Sequence, residues 1–280
     1  MSLLKQAALV GLLLTSASTT ALEFTIAGGQ IFTPGLAVLN SPQPGTPLGG
    51  DLIEISLDVT TNGRLPLPPY SPDSPSQIHN ISIFLSSYTT GRNFTITNGT
   101  ATSSNFNENA SLGNILFQEQ GSTVKHVKWI WPDCLAGDGQ PQTLDSARGA
   151  YNVSIRQSFR LNGEDFYTVF DVPISVTNRI GEEAPNGVAR PSCEELGNEL
   201  WEWEEIREGA DEMGALFAPG DATVLETSGG GEGGGDDDGD GLGPVRPGAG
   251  SGSGLGSGAG GLKAGLGWLV GLGLGVVVLL

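Results

Sequence analysis

The chain is poor in the residue types that build metal centres and nucleophilic sites. Its 280 residues include two cysteines, Cys134 and Cys193, and two histidines, His79 and His126. Two cysteines without neighbouring histidines make a poor metal site. The sequence also has no Gly-x-Ser-x-Gly elbow, no His-Glu-x-x-His pair and no Walker loop. It therefore lacks the signatures of the commonest hydrolases, metalloproteases and nucleotide-binding enzymes.

Basic residues are scarce as well. Thirteen lysines and arginines stand against 31 aspartates and glutamates, which gives a net charge of −18. Eighteen of the acidic residues, but only two arginines, lie between 182 and 241, so the rest of the chain is nearly neutral. Because a nucleic-acid partner requires a basic surface for its phosphates, this composition argues against nucleic acid. The acidic stretch would also be repelled by an anionic membrane surface.

No apolar run reaches the length of an ordinary transmembrane helix, which is about 20 residues. The nearest candidate, residues 262–280, contains five glycines, and a series of very small residues precedes it. Small residues, a polar spacer and a terminal apolar tail are typical of a signal that is replaced by a glycolipid. We interpret 262–280 as a GPI-anchor signal, with Ser251 and Ser257 as candidate attachment sites. A tail-anchored or ordinary transmembrane helix is the alternative.

The first residues are typical of a secretory signal peptide. A positive start at Lys5 is followed by the apolar segment 7–14 and by small residues up to Ala21. We therefore expect residues 1–21 to be removed. The protein would then lie on the extracellular face of the plasma membrane or in the cell wall. In that compartment an even pair of cysteines predicts one disulfide, Cys134–Cys193.

Residues 22–180 have the pattern of an all-β domain. Apolar side chains alternate with polar ones in the segment 53–59, which is the period of a half-buried strand. The turn dipeptides Asn62-Gly63 and Asn162-Gly163 separate strand-like runs. Many short strands without helix-period segments favour a sandwich or barrel. We predict about eight strands, in the runs 24–32, 53–59, 79–86, 94–96, 115–117, 127–131, 151–155 and 166–176.

One local signature makes the fold prediction more specific. The run Gly149-x-Tyr151-x-Val153 looks like the approach to strand F of an immunoglobulin-like sandwich. There a tyrosine near the start of the strand bonds back to the preceding corner. Val153 takes the position of the usual intersheet cysteine, so that disulfide is absent. We therefore predict an immunoglobulin-like β-sandwich over 22–180.

The composition changes in the acidic segment 181–227. Ser192 is a candidate N-cap with Glu195 placed to complete a capping box. An apolar stripe with helical spacing follows, formed by Leu196, Leu200, Trp203 and Ile206. We predict a helix over about 192–213, pinned to the sandwich by the disulfide; a partner-binding helix on a stalk is the alternative. Residues 228–261, rich in Gly, Ser and Asp, are expected to be a disordered linker.

Five sequons are present in the sequence. In a secreted chain they predict N-glycans. Asn80 and Asn152 stand on the polar side of their strands, so we expect glycans there to project into solvent. Four of the sequons fall between residues 80 and 111, a region that we therefore do not expect to be a protein interface. The acceptor residues are Asn80, Asn93, Asn98, Asn109 and Asn152.

An enzyme remains an alternative at this stage. His79 and His126 could contribute to a copper oxidase site, although isolated histidines are more often ordinary surface or packed residues. Glycoside hydrolysis needs two carboxyl groups across a cleft. Trp129 and Trp131 could offer a flat face to a sugar, or could lie in the core. The candidate carboxylates are Asp133, Asp138, Glu164, Asp165 and Asp171.

This plan resembles that of fungal GPI-anchored cell-surface proteins, in which a signal peptide, a glycosylated immunoglobulin-like domain, a low-complexity stalk and an anchor signal follow one another. Through the strand pattern of 22–180 and the Gly149-x-Tyr151-x-Val153 run, the chain resembles the Kre9/Knh1-like cell-wall family. The resemblance implies a non-enzymatic protein without a cofactor, structural or adhesive at the cell wall. Its partners would be the membrane through the lipid, and wall glycans or a surface protein. A secreted enzyme acting on wall polysaccharide is the alternative.

Overall fold

The computed structural model describes residues 22–99 and 114–227. The expected signal peptide, Asn109, Ser251, Ser257, the linker and the tail lie outside these ranges. The described residues form strands, which belong to two sheets, and short helices. The strands are β1 (Leu22–Ala27), β2 (Gln30–Phe32), β3 (Val38–Ser41), β4 (Thr46–Leu48), β5 (Leu52–Asp58), β6 (Gln77–Ser87), β7 (Arg92–Thr97), β8 (Val124–Ile130), β9 (Gly149–Leu161), β10 (Glu164–Val176) and β11 (Thr223–Thr227); the α-helices are α1 (Cys193–Leu196) and α2 (Trp203–Glu208).

The predicted β-rich fold is confirmed, and its strands are divided between two sheets. One sheet has the order β11-β1-β2-β3-β5-β8, and the other has the order β4-β10-β9-β6-β7. The pairing is antiparallel except between β10 and β4. The longest hairpin, β9–β10, turns at Asn162-Gly163, where both residues have a positive φ, as the dipeptide predicted.

The two sheets share one hydrophobic core. Phe24 of the six-stranded sheet packs edge-on against Phe170 of the other, with ring centroids 5.5 Å apart. Phe94 and Trp129 make a second contact between the sheets at 6.3 Å. Trp129 and Trp131 are both buried, so the core interpretation of these tryptophans is correct and the sugar-platform hypothesis is wrong. Alternation places these side chains inward because successive residues of a strand face opposite sides.

A buried glutamine joins β9 to the loop between β2 and β3. Gln157 of β9 accepts a hydrogen bond from the backbone nitrogen of Ala37 and donates one to Thr33 Oγ1, at 2.9 and 2.8 Å. At Gly35, an added Cβ would come within 2.6 Å or less of three atoms of this side-chain amide. A Cβ at position 35 would therefore displace this amide from its hydrogen bonds, whereas glycine lets the backbone approach it closely. These two hydrogen bonds, one to the amide oxygen and one from the amide nitrogen, explain why a polar side chain is tolerated in the core.

The predicted tyrosine contact at the start of β9 is present. The Tyr151 hydroxyl donates to the carbonyl oxygen of Ala147 and accepts a hydrogen bond from Thr90 Oγ1. Burial raises the pKa of Tyr151. The Tyr151 hydroxyl is therefore one of the groups that tie the loop before β9 to the sheet.

Three local predictions are wrong. The run 24–32, predicted as one strand, is the hairpin of β1 and β2. Residues Ile115–Phe117 form a 3₁₀ turn rather than a strand. The single helix expected over 192–213 is replaced by α1 and α2 with extended chain between them. Ser192 is the N-cap of α1 as predicted, since its hydroxyl accepts from the Glu194 backbone nitrogen. The helix is interrupted because Gly197 forms a β-bridge to Phe94 instead of continuing it.

Within the described part of the chain, no helix is both long enough and apolar enough to cross a membrane.

Candidate functional site

A cavity of about 370 Å³ opens between the start of β7 and the loop 136–148, which precedes β9. Its walls combine charged, amide and hydroxyl side chains with the half-buried Cys134. The residues that line it are Arg92, Cys134, Ala136, Gly137, Asp138, Gln140, Pro141, Gln142, Thr143, Asp145, Ser146, Ala147 and Arg148. Its volume lies within the range of small-molecule sites.

The predicted Cys134–Cys193 disulfide is confirmed, with the Cα atoms 6.0 Å apart, and its Cys134 lines the cavity. Asp133 holds both half-cystines, because its Oδ1 accepts from the backbone nitrogens of Cys134 and Cys193 at 2.7 and 3.0 Å. These three residues bring potential metal-ligating atoms within 4.8 Å of one another. The sulfurs are bonded to each other and are therefore not thiolates, the form that binds metal. The Asp133 carboxylate consequently has a structural role.

Arg148 makes the inner wall rigid. It is 6% exposed, and its guanidinium donates to the carbonyl oxygens of Leu135, Asn178 and Gly139 at 2.6, 2.8 and 3.4 Å. Desolvation lowers the pKa of Arg148, and the nearby Asp138 carboxylate opposes this effect. Among the described residues, its buried Nε has no hydrogen-bond partner. The cavity wall therefore holds an oriented cation with one donor left unused.

The cavity lining also includes exposed polar side chains. Asp138 and Asp145 supply carboxylate acceptors, while Gln140, Gln142 and Thr143 supply amide and hydroxyl groups. Donors and acceptors that line one cavity suit a ligand with many hydroxyl groups. A general acid for glycoside hydrolysis instead needs a carboxyl group that burial keeps protonated. Asp138 and Asp145 are both exposed and therefore lack the buried setting of such an acid.

The other predicted carboxylates lie elsewhere. Glu164 and Asp165 stand at the β9–β10 turn. Asp165 accepts from Arg160 Nε at 2.9 Å, and its Oδ1 lies 3.0 Å from His79 Nε2; hydrogen bonds to both partners lower the pKa of Asp165. Asp171 lies in the middle of β10. The structure therefore distributes these acids between the end of a hairpin and the face of a sheet.

The two histidines are also far from forming one site. His79 belongs to β6 of the five-stranded sheet, and His126 belongs to β8 of the six-stranded sheet. His126 Nδ1 lies 3.0 Å from Glu119 Oε2, so each ring has its own carboxylate neighbour. Across residues 22–99 and 114–227, neither histidine belongs to a group of three potential metal ligands. The copper-oxidase alternative finds no ligand set there.

Residues 197–213, which we name the strap, cross the outer face of the five-stranded sheet. At β7, the Asn198 backbone nitrogen donates to the carbonyl oxygen of Asn93 at 2.8 Å. At β10, Asp211 and Tyr167 exchange two hydrogen bonds of 2.7 Å each. Between these points, the Tyr88 hydroxyl donates to the carbonyl oxygen of Trp201 at 3.0 Å. The strap thus replaces solvent over a face that the strand pattern predicted to be open.

A buried carboxyl group lies on this covered face. Asp171 is 7% exposed, and burial raises the pKa of its carboxyl to about 6, although a hydrogen bond from Ser154 and the charge of Arg156 oppose the shift. The Arg156 guanidinium lies over the Phe84 ring, 4.5 Å from its centroid. Asp171 was named in the sequence only as a candidate catalytic carboxylate, and the strap that covers its face was predicted as one continuous helix.

The described sequons differ in accessibility. Asn98 is exposed, whereas Asn80 and Asn152 are half-buried on the outer face of the five-stranded sheet. Asn93 is 8% exposed, and its Nδ2 donates to the carbonyl oxygen of Glu199 at 2.8 Å. Glycosylation at the five sequons stays a prediction.

No family model, curated protein or solved structure matches the chain, so its function is inferred from the cavity, the disulfide and the strap.

Proposed function

We propose that the chain is a non-enzymatic, N-glycosylated cell-surface domain, tethered by a GPI lipid, that binds saccharides of the cell wall through its loop cavity. The Cys134–Cys193 disulfide carries this proposal. Such bonds persist in oxidising compartments and are rare where glutathione keeps thiols reduced. This agrees with the signal peptide predicted over 1–21 and with the anchor signal predicted over 262–280.

The finer fold assignment, an immunoglobulin-like sandwich, is part of the proposal. Two sheets with a shared core, and a tyrosine at the start of β9 that bonds to the carbonyl of Ala147, support it. Domains of this architecture commonly present loops at the ends of the sandwich as binding surfaces. The cavity loop 136–148 occupies such a position, since it leads directly into β9.

A neutral saccharide fits the chemistry of the cavity better than an ion does. The guanidinium groups of Arg92 and Arg148 are balanced by the carboxylates of Asp138 and Asp145, so neither sign of charge dominates. A sugar hydroxyl both donates and accepts hydrogen bonds, and it can therefore use the exposed carboxylates of Asp138 and Asp145 together with the amides of Gln140 and Gln142. Wall polysaccharides offer many such hydroxyl groups.

Tethering is tested with the full chain in a fungal host. Phosphatidylinositol-specific phospholipase C should release the protein from intact cells, and deletion of residues 262–280 should send it into the medium. Both results are expected because a lipid holds the mature chain. Retention after both treatments would show a transmembrane segment instead.

Saccharide binding is tested with the secreted chain ending at residue 261 on an array of wall glycans. Asp145→Asn should weaken the binding of a positive glycan about ten-fold, the value of one lost hydrogen bond to a charged group. Asp73→Asn, which changes an exposed carboxylate outside the cavity, is the matched control and should leave binding unchanged. No binding at all contradicts the saccharide part of the proposal, and accumulation of shortened glycan would favour the hydrolase alternative.

A further inference from the structure

The free edge of the five-stranded sheet is closed by the strap. β7 is the last strand of that sheet. Its outward backbone groups pair with the strap, through the Phe94–Gly197 bridge and through the bond from the Asn198 nitrogen to the carbonyl oxygen of Asn93. An unpaired edge strand exposes a row of backbone donors and acceptors. The strap therefore satisfies groups that would otherwise face water or another chain.

The same contact uses both functional side chains of the sequon Asn93-Phe94-Thr95. Asn93 Nδ2, the atom that would carry a glycan, donates to the carbonyl oxygen of Glu199 at 2.8 Å. The Thr95 hydroxyl accepts from Asn198 Nδ2 at 2.6 Å. The Asn93 side chain is 8% exposed, and its Oδ1 is buried without a hydrogen-bond partner among the described residues. The strap thus fills the space next to the acceptor nitrogen.

Glycosylation would change this nitrogen covalently. Asn93 Nδ2 attacks the anomeric carbon of an oligosaccharide linked to a lipid diphosphate; the new C–N bond forms as the C–O bond to the diphosphate breaks. The lipid diphosphate leaves with the electron pair, and Nδ2 loses one proton. The product carries a sugar ring on an atom that now lies 2.8 Å from the Glu199 carbonyl oxygen. A buried contact of this closeness has no room for a sugar ring.

We propose that a glycan on Asn93 and a docked strap exclude each other, so that occupancy of this one sequon decides whether the β7 edge is closed. This inference rests on the proposed secretory function. Asn93 and Glu199 are 106 positions apart, so Asn93 is synthesised and becomes available for modification before the strap can cover it. The chain can thus mature in two forms. In the form that carries a glycan on Asn93, which we call the open form, the strap is detached from the sheet face that contains Asp171 and Ser154.

The two forms are compared in the secreted chain ending at residue 261, made in a glycosylating eukaryotic host. Peptide mapping by mass spectrometry gives the occupancy of each sequon, and hydrogen exchange reports on the strap. In molecules glycosylated at Asn93, the Asn198 amide should exchange about ten-fold faster or more than in unmodified molecules, because its bond to β7 is lost. Equal protection of Asn198 in both glycoforms would overturn the proposal.

A variant separates the effect of the strap from that of the sequon. Asn198→Pro removes the N–H that pairs with β7 and should raise the occupancy of Asn93 about three-fold or more, because a peptide nitrogen without its hydrogen cannot donate. Asn98, which is exposed, serves as the internal reference and should not change. Glu199→Ala retains the backbone carbonyl and is the matched control. It should leave Asn93 occupancy at the wild-type level.

The outcomes distinguish this proposal from the proposed function. Glycan on Asn98, with Asn93 empty in both the wild type and Asn198→Pro, would contradict the exclusion by the strap and leave the proposed function standing. A secreted chain without glycan on any sequon would contradict the proposed glycoprotein, and this inference with it.

Discussion

Tyr151 donates its hydroxyl hydrogen to the carbonyl oxygen of Ala147, four residues upstream, and so fixes the end of the cavity loop to β9. Both groups are buried, since Ala147 is 6% exposed and Tyr151 is 2% exposed. Without the hydroxyl, the carbonyl would be buried unpaired. The contact therefore links the stability of the sheet to the shape of the proposed binding site.

Tyr151→Phe should lower the free energy of unfolding by about 1–3 kcal/mol, the cost of leaving a buried acceptor unsatisfied. Urea denaturation measures this difference. The matched control is Tyr88→Phe, which removes the 3.0 Å bond to the Trp201 carbonyl from a tyrosine that is 43% exposed. Because water can replace that bond, the control should lose less than about 1 kcal/mol. Equal losses in the two variants would contradict a special role for Tyr151.

Removal of the disulfide should destabilise the fold without changing its sheets. It joins residues 59 positions apart, so the paired variant Cys134→Ser with Cys193→Ser should lose about 2–4 kcal/mol through the larger freedom of its unfolded chain. Thermal unfolding measures the loss, and non-reducing peptide mapping of the wild type should find the two cysteine peptides joined. Free thiols at both positions would contradict the pairing. Asp133→Asn retains the disulfide and tests the contribution of the carboxylate that holds it.

Asp171 should make the stability depend on pH. Its folded-state pKa of about 6 lies above the ordinary value of 3.8, so between these values the folded state keeps a proton that the unfolded state has lost. Its contribution to stability therefore falls as the pH rises through this window. Asp171→Asn should remove this slope and raise the free energy of unfolding at pH 7 by on the order of 1–3 kcal/mol. Below about pH 4 the advantage should vanish.

The opposite slope is expected for Asp165, which provides the control. Its pKa is lowered by hydrogen bonds from Arg160 and His79, so its contribution is present above the unfolded pKa and is lost as the pH falls through the folded pKa. Asp165→Asn should therefore leave the slope between pH 4 and 6 nearly unchanged. Urea denaturation at several pH values measures both variants. An Asp171→Asn protein that retains the wild-type slope would contradict the assignment.

Arg190 should be intolerant even of lysine. Its buried guanidinium donates to backbone carbonyl oxygens in separate segments of the chain, those of Gly181, Asp51, Trp131 and Glu183, at 2.6–3.2 Å. An ammonium group cannot reproduce this planar set of donors. Arg190→Lys should cost about 2–4 kcal/mol, as measured by thermal unfolding.

The control for Arg190 is Arg207→Lys. Arg207 makes an exposed ion pair with Glu212, for which lysine is an adequate substitute, so the expected loss is below about 1 kcal/mol. Similar losses of stability at both positions would contradict the requirement for a planar guanidinium group at Arg190.

The regular strands could be predicted because their side chains alternate over several residues. The runs around Ile55, Ile83 and Val153 belong to β5, β6 and β9 as expected. The strands β3, β4 and β11 were missed. They have three to five residues each, too few for a period of two to stand out. Their pairing depends on neighbouring strands that are remote in sequence.

The helix prediction failed for a related reason. The stripe from Leu196 to Ile206 has helical spacing, but the edge of β7 offers hydrogen-bond partners to Gly197 and Asn198. These tertiary bonds replace the helical ones. The dipeptide Gly197-Asn198 was the one sequence signal against a continuous helix, since both residues are poor helix formers.

The candidate site was only partly visible in the sequence. Asp138 was named among possible catalytic acids, but its exposure and its position in a cavity with Arg148 follow from the folded loop. The buried state of Asn93 was not expected either, because a sequon contains no information about a covering segment 106 positions away.

By itself, the sequence determined the β-class of the domain and, because it contains only two cysteines, the partners of its disulfide. These properties depend on short-range alternation and on composition, both of which can be counted along the chain. Only the tertiary structure decided which polar residues are covered. Burial is set by segments that meet in space. The Asn93 side chain donates to the backbone carbonyl oxygen of Glu199 in the strap, a group that residues of every type carry, so the sequence contains no signal for this contact.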